Sequence, residues 1–258
     1  MKIAILGAGR VAFHLGKALM SAGHDIIQVY SRTASSASEV ALRCGGAPIT
    51  DISQLTYEAD AYLFAVTDMA LPHLIPLVCK GREERVFLHT AGSMALDVFQ
   101  GMAFHYAVLY PMQTFSKERE LDFSQIPCFI EANDAKALET VTSMANAVSR
   151  RVELLSSDDR KYLHLAAVFA CNFSNHCFAL AAEILKQHHM SFDVMLPLID
   201  ETVKKVHQFS PRTVQTGPAV RYDENVIRQQ SQLLRKDPLM KDLYDRLSLS
   251  IHKLSIEQ

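Results

Sequence analysis

No stretch of this 258-residue chain is basic enough to hold a polyanion, and 26 Lys and Arg nearly balance 28 Asp and Glu for a formal charge of -2. That removes the electrostatic footing for nucleic acid or an anionic lipid surface, so neither is an expected partner. The cysteines are few and badly spaced for chemistry: Cys44, Cys79, Cys128, Cys171 and Cys177 form no metal-ligand or redox pattern, and their number is odd. We expect buried thiols of a reducing compartment, which places the chain in the cytoplasm. No His-Glu-x-x-His or paired Cys/His spacing occurs, so no metal is expected. The Gly-x-Ser-x-Gly elbow of a Ser-His-Asp hydrolase is missing too. Gly7, Gly9, Arg10, His14 and Lys17 interrupt the opening apolar run, and no later stretch reads as long enough to cross a bilayer. Internal repeats and low-complexity linkers are also absent.

What the chain does have is 49% apolar residues, enough for a sizeable core in one or two domains. It begins with a strand-like run, Lys2-Ile3-Ala4-Ile5-Leu6. That run breaks into Gly7-Ala8-Gly9-Arg10-Val11-Ala12 and opens a helix carrying Leu15, Ala18, Leu19 and Ala22. Gly7 permits a tight turn, Gly9 lets the backbone approach a pyrophosphate, and Ala12 keeps the third small position of the G-x-G-x-x-G/A fingerprint. The amides of Arg10 and Val11 at the helix N-terminus complete an anion site made of backbone. After a second strand over 26–30, Ser31-Arg32-Thr33 stands where an NAD-binding chain presents a carboxylate to the ribose 2′-hydroxyl. An arginine between two hydroxyls suits a 2′-phosphate, so NADP is favoured over NAD. A solvated helix-capping loop accounts for Ser31 and Thr33 equally well.

Strand and helix patterns then alternate: a helix over 34–44, strands over 47–50, 60–66 and 86–89, a helical turn over 94–99, and a strand over 104–110. A loop over 111–116, a strand over 128–131, a helix over 134–148 and a strand over 151–155 complete the α/β region. This is the rhythm of a doubly wound parallel sheet, whose ligand lies outside the carboxyl ends of the strands. Ala65, Val66, Thr67 and Asp68 should therefore line the coenzyme, with His89 through Ser93, Thr90 among them, bordering its nicotinamide end. The alternation stops near residue 153, giving a coenzyme domain over 1–153 and an all-helical domain over 154–258. Ser156-Ser157-Asp158-Asp159 caps a long, largely buried helix that runs without proline or glycine to residue 190. Further helices are expected over 192–209, over 223–235 and from Pro238 onward.

Inside the long helix His164, Val168, Cys171, Asn172 and Asn175 recur at three- and four-residue spacing, which would put an imidazole and two amides on one face. His164 suits a general acid or base, and Asn172 or Asn175 could orient a substrate oxygen or nitrogen. At 1.5 Å per residue, Asn172 lies about 12 Å and Asn175 about 16 Å along the helix from His164, so a small substrate cannot touch all three. Helix-packing polar groups bonded to neighbouring loops are the competing account. His89 and His105 read as satisfied core histidines, and His188-His189 complement a helix dipole. Arg221, after Thr216-Gly217-Pro218, could supply a cation for a substrate carboxylate or phosphate; the same loop could simply be a rigid corner.

Together Gly7-x-Gly9-x-x-Ala12, Ser31-Arg32, His89-Thr90-Ala91-Gly92-Ser93 and Tyr110-Pro111-Met112-Gln113-Thr114-Phe115 resemble a bacterial family of Rossmann-like proteins with a C-terminal helical domain of unknown function. Asn172-Phe173-x-Asn175-His176 and Thr216-Gly217-Pro218-x-x-Arg221 extend the resemblance over nearly the whole chain. The wider superfamily includes pyrroline-5-carboxylate reductase, ketopantoate reductase, 3-hydroxyisobutyrate dehydrogenases and deazaflavin-dependent NADP reductases. The resemblance implies an NADP-binding N-terminal domain and a 6-phosphogluconate dehydrogenase C-terminal-like helical domain that often forms homodimers. Its blocks make Ser93, Gln113, Thr216 and Arg221 candidate substrate contacts. The hydroxyacid dehydrogenases carry a catalytic lysine on the first long helix of the second domain, where this chain has Lys161 and His164. The expectation is an NADP-dependent oxidoreductase that passes a hydride between the coenzyme and a small carbonyl, imine or hydroxy compound bound between the domains. The alternative is an NADP-binding sensor or scaffold that uses the helical domain for partner contacts.

Overall fold

The computed structural model describes residues 1–257. β1 (Lys2–Leu6), β2 (Asp25–Tyr30), β3 (Ala47–Ile49), β4 (Ala61–Phe64), β5 (Val86–His89), β6 (His105–Pro111), β7 (Cys128–Ala132) and β8 (Val152–Leu154) form one sheet in the order 3-2-1-4-5-6-7-8. Neighbours from β3 through β6 are parallel. β1 lies between β2 and β4, so the strand order reverses there and opens a crevice.

Alternation of side chains across the strands gives the sheet two apolar faces. On one, Ile3, Ile5 and Leu63 pack under α1 (Arg10–Ser21), α2 (Ala34–Cys44) and α4 (Ala135–Val148), which contribute Leu15, Val40 and Met144. On the other, Leu6, Tyr62, Phe64 and Phe87 meet α3 (Leu71–Cys79) and the 3-10 turn at Leu96–Phe99. β4 and β5 are buried along their whole length, because both faces are covered.

One strand departs from the expected all-parallel arrangement: β7 runs antiparallel to β6. A parallel neighbour needs a long crossover, usually a helix. Between β6 and β7 the chain supplies only a loop with a single 3-10 turn, Phe123–Gln125, and returns with the Met112 amide donating to the Pro127 carbonyl at 2.9 Å. α4 then crosses over, and β8 pairs parallel to β7.

Beyond the sheet the chain is helical: α5 (Ser157–Ala167), α6 (Ser174–Gln187), α7 (Leu196–Gln208), α8 (Pro218–Arg221), α9 (Glu224–Leu233) and α10 (Pro238–Ile256). Ser156 caps α5 as its sequence signals, its side chain accepting from the Asp159 amide at 3.1 Å. Two compact units divide inside this helical run, one ending at Asn172 and the other starting at Phe173.

The long helix differs from expectation in three ways. Residues Val168–Phe173 form a π-helical turn, which widens the spiral and breaks the 3.6-residue phase that a shared polar face from His164 to Asn175 requires. Nor is the helix buried: Arg160 is the one buried residue of α5, Leu185 that of α6, and α7 has none. Periodicity shows where apolar side chains lie, not what covers them. And Ser157–Gln187 is, by length and composition, one helix apolar enough to cross a membrane, since its scattered histidines and asparagines lower the average hydropathy without cancelling it. The cysteines split as well. Burial pushes Cys44 and Cys128 up to about 11 and Cys79 up to about 12, leaving them inert thiols, whereas Cys177 is exposed.

Candidate active site

The turn after β1 is shaped around glycine. Gly7 has φ +110°, and a Cβ there would collide with the Ala65 carbonyl and Val66. Its amide donates to the Tyr30 carbonyl at 2.8 Å, locking the turn between β2 and β4. At Gly9 the space is open, with the nearest protein atom 4.0 Å from where a Cβ would sit. Gly9 is also the N-cap of α1, with no side-chain cap and no acidic residue in the first turn. The first amides of α1, those of Arg10 and Val11 included, therefore meet no protein acceptor from a cap, which is the condition for holding a phosphate.

At the end of β2, Ser31 is half-buried while Arg32 and Thr33 are exposed. Thr33 is the N-cap of α2, whose first turn again has no carboxylate, and its hydroxyl donates to the Ser36 Oγ at 2.8 Å. Among the described residues Arg32 joins no ion pair, so its guanidinium is available to an anion at a second helix N-terminus. The residues after β4 complete the crevice. The Ala65 carbonyl abuts Gly7, Val66 is half-buried, and Thr67 and Asp68 are exposed.

The loop after β5 is cross-braced more heavily than its sequence suggests. The Thr90 amide and hydroxyl both donate to the Phe64 carbonyl, at 3.1 and 3.3 Å, so this threonine ties β5 to β4. The Ser93 hydroxyl donates to the Asp68 carboxylate across the crevice. His89 is fully buried against Phe99; its Nδ1 accepts from the Ala91 amide at 3.2 Å, which leaves Nε2 as the donor to the Ala95 carbonyl at 3.3 Å. Burial, with the Arg160 charge behind it, pulls its pKa down to about 3. His89 is thus a neutral brace of the 91–95 loop, in keeping with its reading as a core histidine. His105, at the far end of β6, is held by Asp134 at 2.6 Å.

Two braces have no counterpart in the sequence reading. Arg160, 1% exposed, donates to Glu131 of β7 at 2.6 Å, to the Met94 carbonyl at 2.6 Å and to the Ser157 Oγ at 3.1 Å. Glu131 also accepts from the Ser157 amide and hydroxyl, and the Leu96 amide donates to the Ser157 Oγ. One ion pair therefore clamps β7, the 93–96 loop and the first turn of α5 together. His164 stands four residues past Arg160, on the same helix face. Its Nδ1 is 3.0 Å from the hydroxyl of Tyr110, at the end of β6. Gly92 fits between them: a Cβ there would come within 2.5 Å of His164 Nδ1 and 3.0 Å of the Tyr110 ring.

The structure brings together His164, Thr90, Ser93 and the 65–68 segment at the carboxyl ends of β4 to β6. Gln113 is exposed just after β6, its Oε1 accepting from the Thr114 amide at 2.8 Å. Asn172 is exposed on the π-helical turn. Asn175, Thr216 and Arg221 belong to the second compact unit: Asn175 is exposed on α6, Thr216 is exposed, and Arg221 ends α8, whose N-cap is Gly217 at φ +108°. A surface cavity of about 290 Å³, lined by His14, Lys17, Glu120 and Asp122 among others, touches none of the candidate residues.

A sheet reversing at β1, a glycine turn packed against β4 and two uncapped helix starts define a Rossmann-type dinucleotide-binding chain. Residues 1–112 match the Rossmann-like domain family, and residues 126–251 match a domain of unknown function, DUF2520. A Bacteroides fragilis protein, named in its crystal structure as a candidate NADP oxidoreductase, is 49% identical over 98% of both chains, with a TM-score of 0.94. The chain belongs to this family of Rossmann-like proteins with a DUF2520 C-terminal domain. A Streptomyces aurantiacus imine reductase (14% identity, TM-score 0.65, 100% of this chain and 99% of that one) has the same fold. So does a Coxiella burnetii pyrroline-5-carboxylate reductase (17% identity, TM-score 0.56, 99% and 97%). No curated protein matches the sequence.

Proposed function

We propose that this protein is an NADP-dependent oxidoreductase acting on a small carbonyl, imine or hydroxy compound. The observation that carries the reading is the glycine turn, closed to a side chain at Gly7 and open at Gly9, in front of an uncapped helix. The amides of Arg10 and Val11 would hold the diphosphate, and Ser31, Arg32 and Thr33 the 2′-phosphate. Bound there, the nicotinamide coenzyme supplies a hydride donor or acceptor. In the reductive direction His164 delivers the proton that the substrate oxygen or nitrogen takes up, and in the oxidative direction it removes that proton. Thr67 and Thr90 would line the coenzyme at its nicotinamide end, and Ser93 would meet the substrate beside it. The names of the 49%-identical relative and of the fold neighbours support an oxidoreductase.

Calorimetric titration with NADPH and NADH tests the reading. We expect NADPH to bind about tenfold or more tightly, a difference of about 1.4 kcal/mol, and Arg32→Ala to erase that preference. Equal affinities in the unmodified protein would remove the 2′-phosphate assignment. In a panel of carbonyls and imines, His164→Ala should abolish turnover while leaving NADPH binding intact.

We also propose that the exposed apolar faces of α5, α6 and α7 are covered by a second copy of this chain. Tyr162 and Leu165 of α5, Phe178 and Ile184 of α6, and Leu198 and Val203 of α7 are all exposed, a density of apolar surface that singly scattered residues do not make. A lipid environment fits less well, because the first turn of the Ser157–Gln187 helix is tied through Arg160 to Glu131 in the sheet.

A further inference from the structure

We infer that Tyr110 is a positioning residue: its hydroxyl donates to His164 Nδ1, fixing the imidazole as the tautomer that carries its proton on Nε2. This rests on His164 being the proton-transferring group. Tyr110 is buried among Val108, Phe129, Leu96, Met112 and Leu163, which offer its hydroxyl no polar partner. His164 Nδ1, at 3.0 Å, is the acceptor the structure provides. If Nδ1 carried the proton instead, the phenol could only accept, and its own O–H would be left buried and unmade. That arrangement costs about 1–3 kcal/mol. Burial also holds the Tyr110 pKa above its ordinary value, so the O–H is present throughout the neutral range.

The surroundings keep this pair in register. Gly92 leaves no room for either ring to slide toward the 90–93 loop. The rings meet edge to face, with centroids 6.0 Å apart. Arg160, one helical turn before His164, fixes the helix against the Met94 carbonyl and Glu131. Tyr110 is 8% exposed and His164 half-buried, so solvent and substrate reach the pair through the imidazole, not the phenol. Nε2 then carries the proton meant for the substrate. As it leaves, Nδ1 takes up the Tyr110 phenol proton, so the ring stays neutral, and the phenolate regains its proton from water through the imidazole, or by the reverse shift in the oxidative direction. Tyr110 thus selects which ring nitrogen carries the proton that the substrate exchanges.

The test reads the tautomer directly. Protein labelled with ¹⁵N-histidine is observed by long-range ¹H–¹⁵N correlation at about pH 8, where an ordinary imidazole is neutral. The His164 signals are assigned by their loss in His164→Gln. We expect the unmodified protein to show His164 with Nδ1 bare and Nε2 protonated. Tyr110→Phe, which keeps the ring in its apolar cluster, should add an Nδ1–H population and lower kcat about tenfold with KM changed less than about twofold. A wild-type His164 protonated on Nδ1 would overturn the assignment, as would a Tyr110→Phe protein with unchanged tautomer populations and kcat. The two readings fail separately. Absence of NADPH binding to the unmodified protein sinks the oxidoreductase and the catalytic meaning of the pair, whereas a bound coenzyme beside an Nδ1–H imidazole sinks the role of Tyr110 alone.

Discussion

At the scale of single residues, His89 shows how a group beside a site can serve it by staying uncharged. Its imidazole is neutral in the folded protein, with a pKa of about 3 against an ordinary 6.5, because burial and Arg160 both disfavour the cation. The unfolded chain therefore binds a proton that the native chain refuses. The stability gained is present in full above pH 6.5 and is lost as the pH falls toward 3. We expect the melting temperature to drop steadily on acidification through that window, and His89→Gln to flatten the slope, as differential scanning calorimetry would record. A slope unaltered by the substitution would mean that other groups carry the acid sensitivity. Gly92 makes the complementary case. Gly92→Ala must push His164 or Tyr110 aside, so turnover should fall by about tenfold or more while calorimetric NADPH affinity holds, since the diphosphate turn lies elsewhere.

At the scale of elements, α5 owes its placement to one buried guanidinium. Removing it leaves Glu131 half-covered without its partner and frees the Met94 carbonyl, so Arg160→Ala should cost about 3–5 kcal/mol in urea unfolding. A loss below about 1 kcal/mol would reduce the pair to the rank of an exposed salt bridge. None of this clamp could be seen in the sequence, because Arg160 and Glu131 are 29 residues apart and Tyr110 and His164 are 54 apart. What could be seen was local. The glycine turn, the β-branched run of β2, the cap at Ser156 and the helix over α4 each depend on residues within one or two turns of each other. The direction of β7 was hidden, although the lack of any helical pattern between Pro111 and Cys128 was a usable sign of an antiparallel return. The π-helical turn at Val168–Phe173 has no such sign, since Val-Phe-Ala-Cys-Asn-Phe is as apolar and as free of breakers as the helix around it.

For the whole molecule, the bare apolar helices predict association. Analytical ultracentrifugation should give twice the chain mass of 28.8 kDa, and Leu165→Glu with Leu198→Glu should return it to one. Both leucines are exposed, so neither change disturbs a core within the chain. A monomer in the unmodified protein would leave this surface to some other occupant.

The two sequence families that tile the chain meet between residues 112 and 126, yet the sheet does not end there. β7, α4 and β8 come from the second family and complete the sheet and one of its faces for the first, and Glu131 reaches back to hold the loop beyond β5. A gene cut at that seam would yield two fragments with raw, mutually dependent edges. Any chimera that trades the helical half between relatives must therefore carry its graft from the strand that holds Glu131, or lose the fastening that keeps His164 in place.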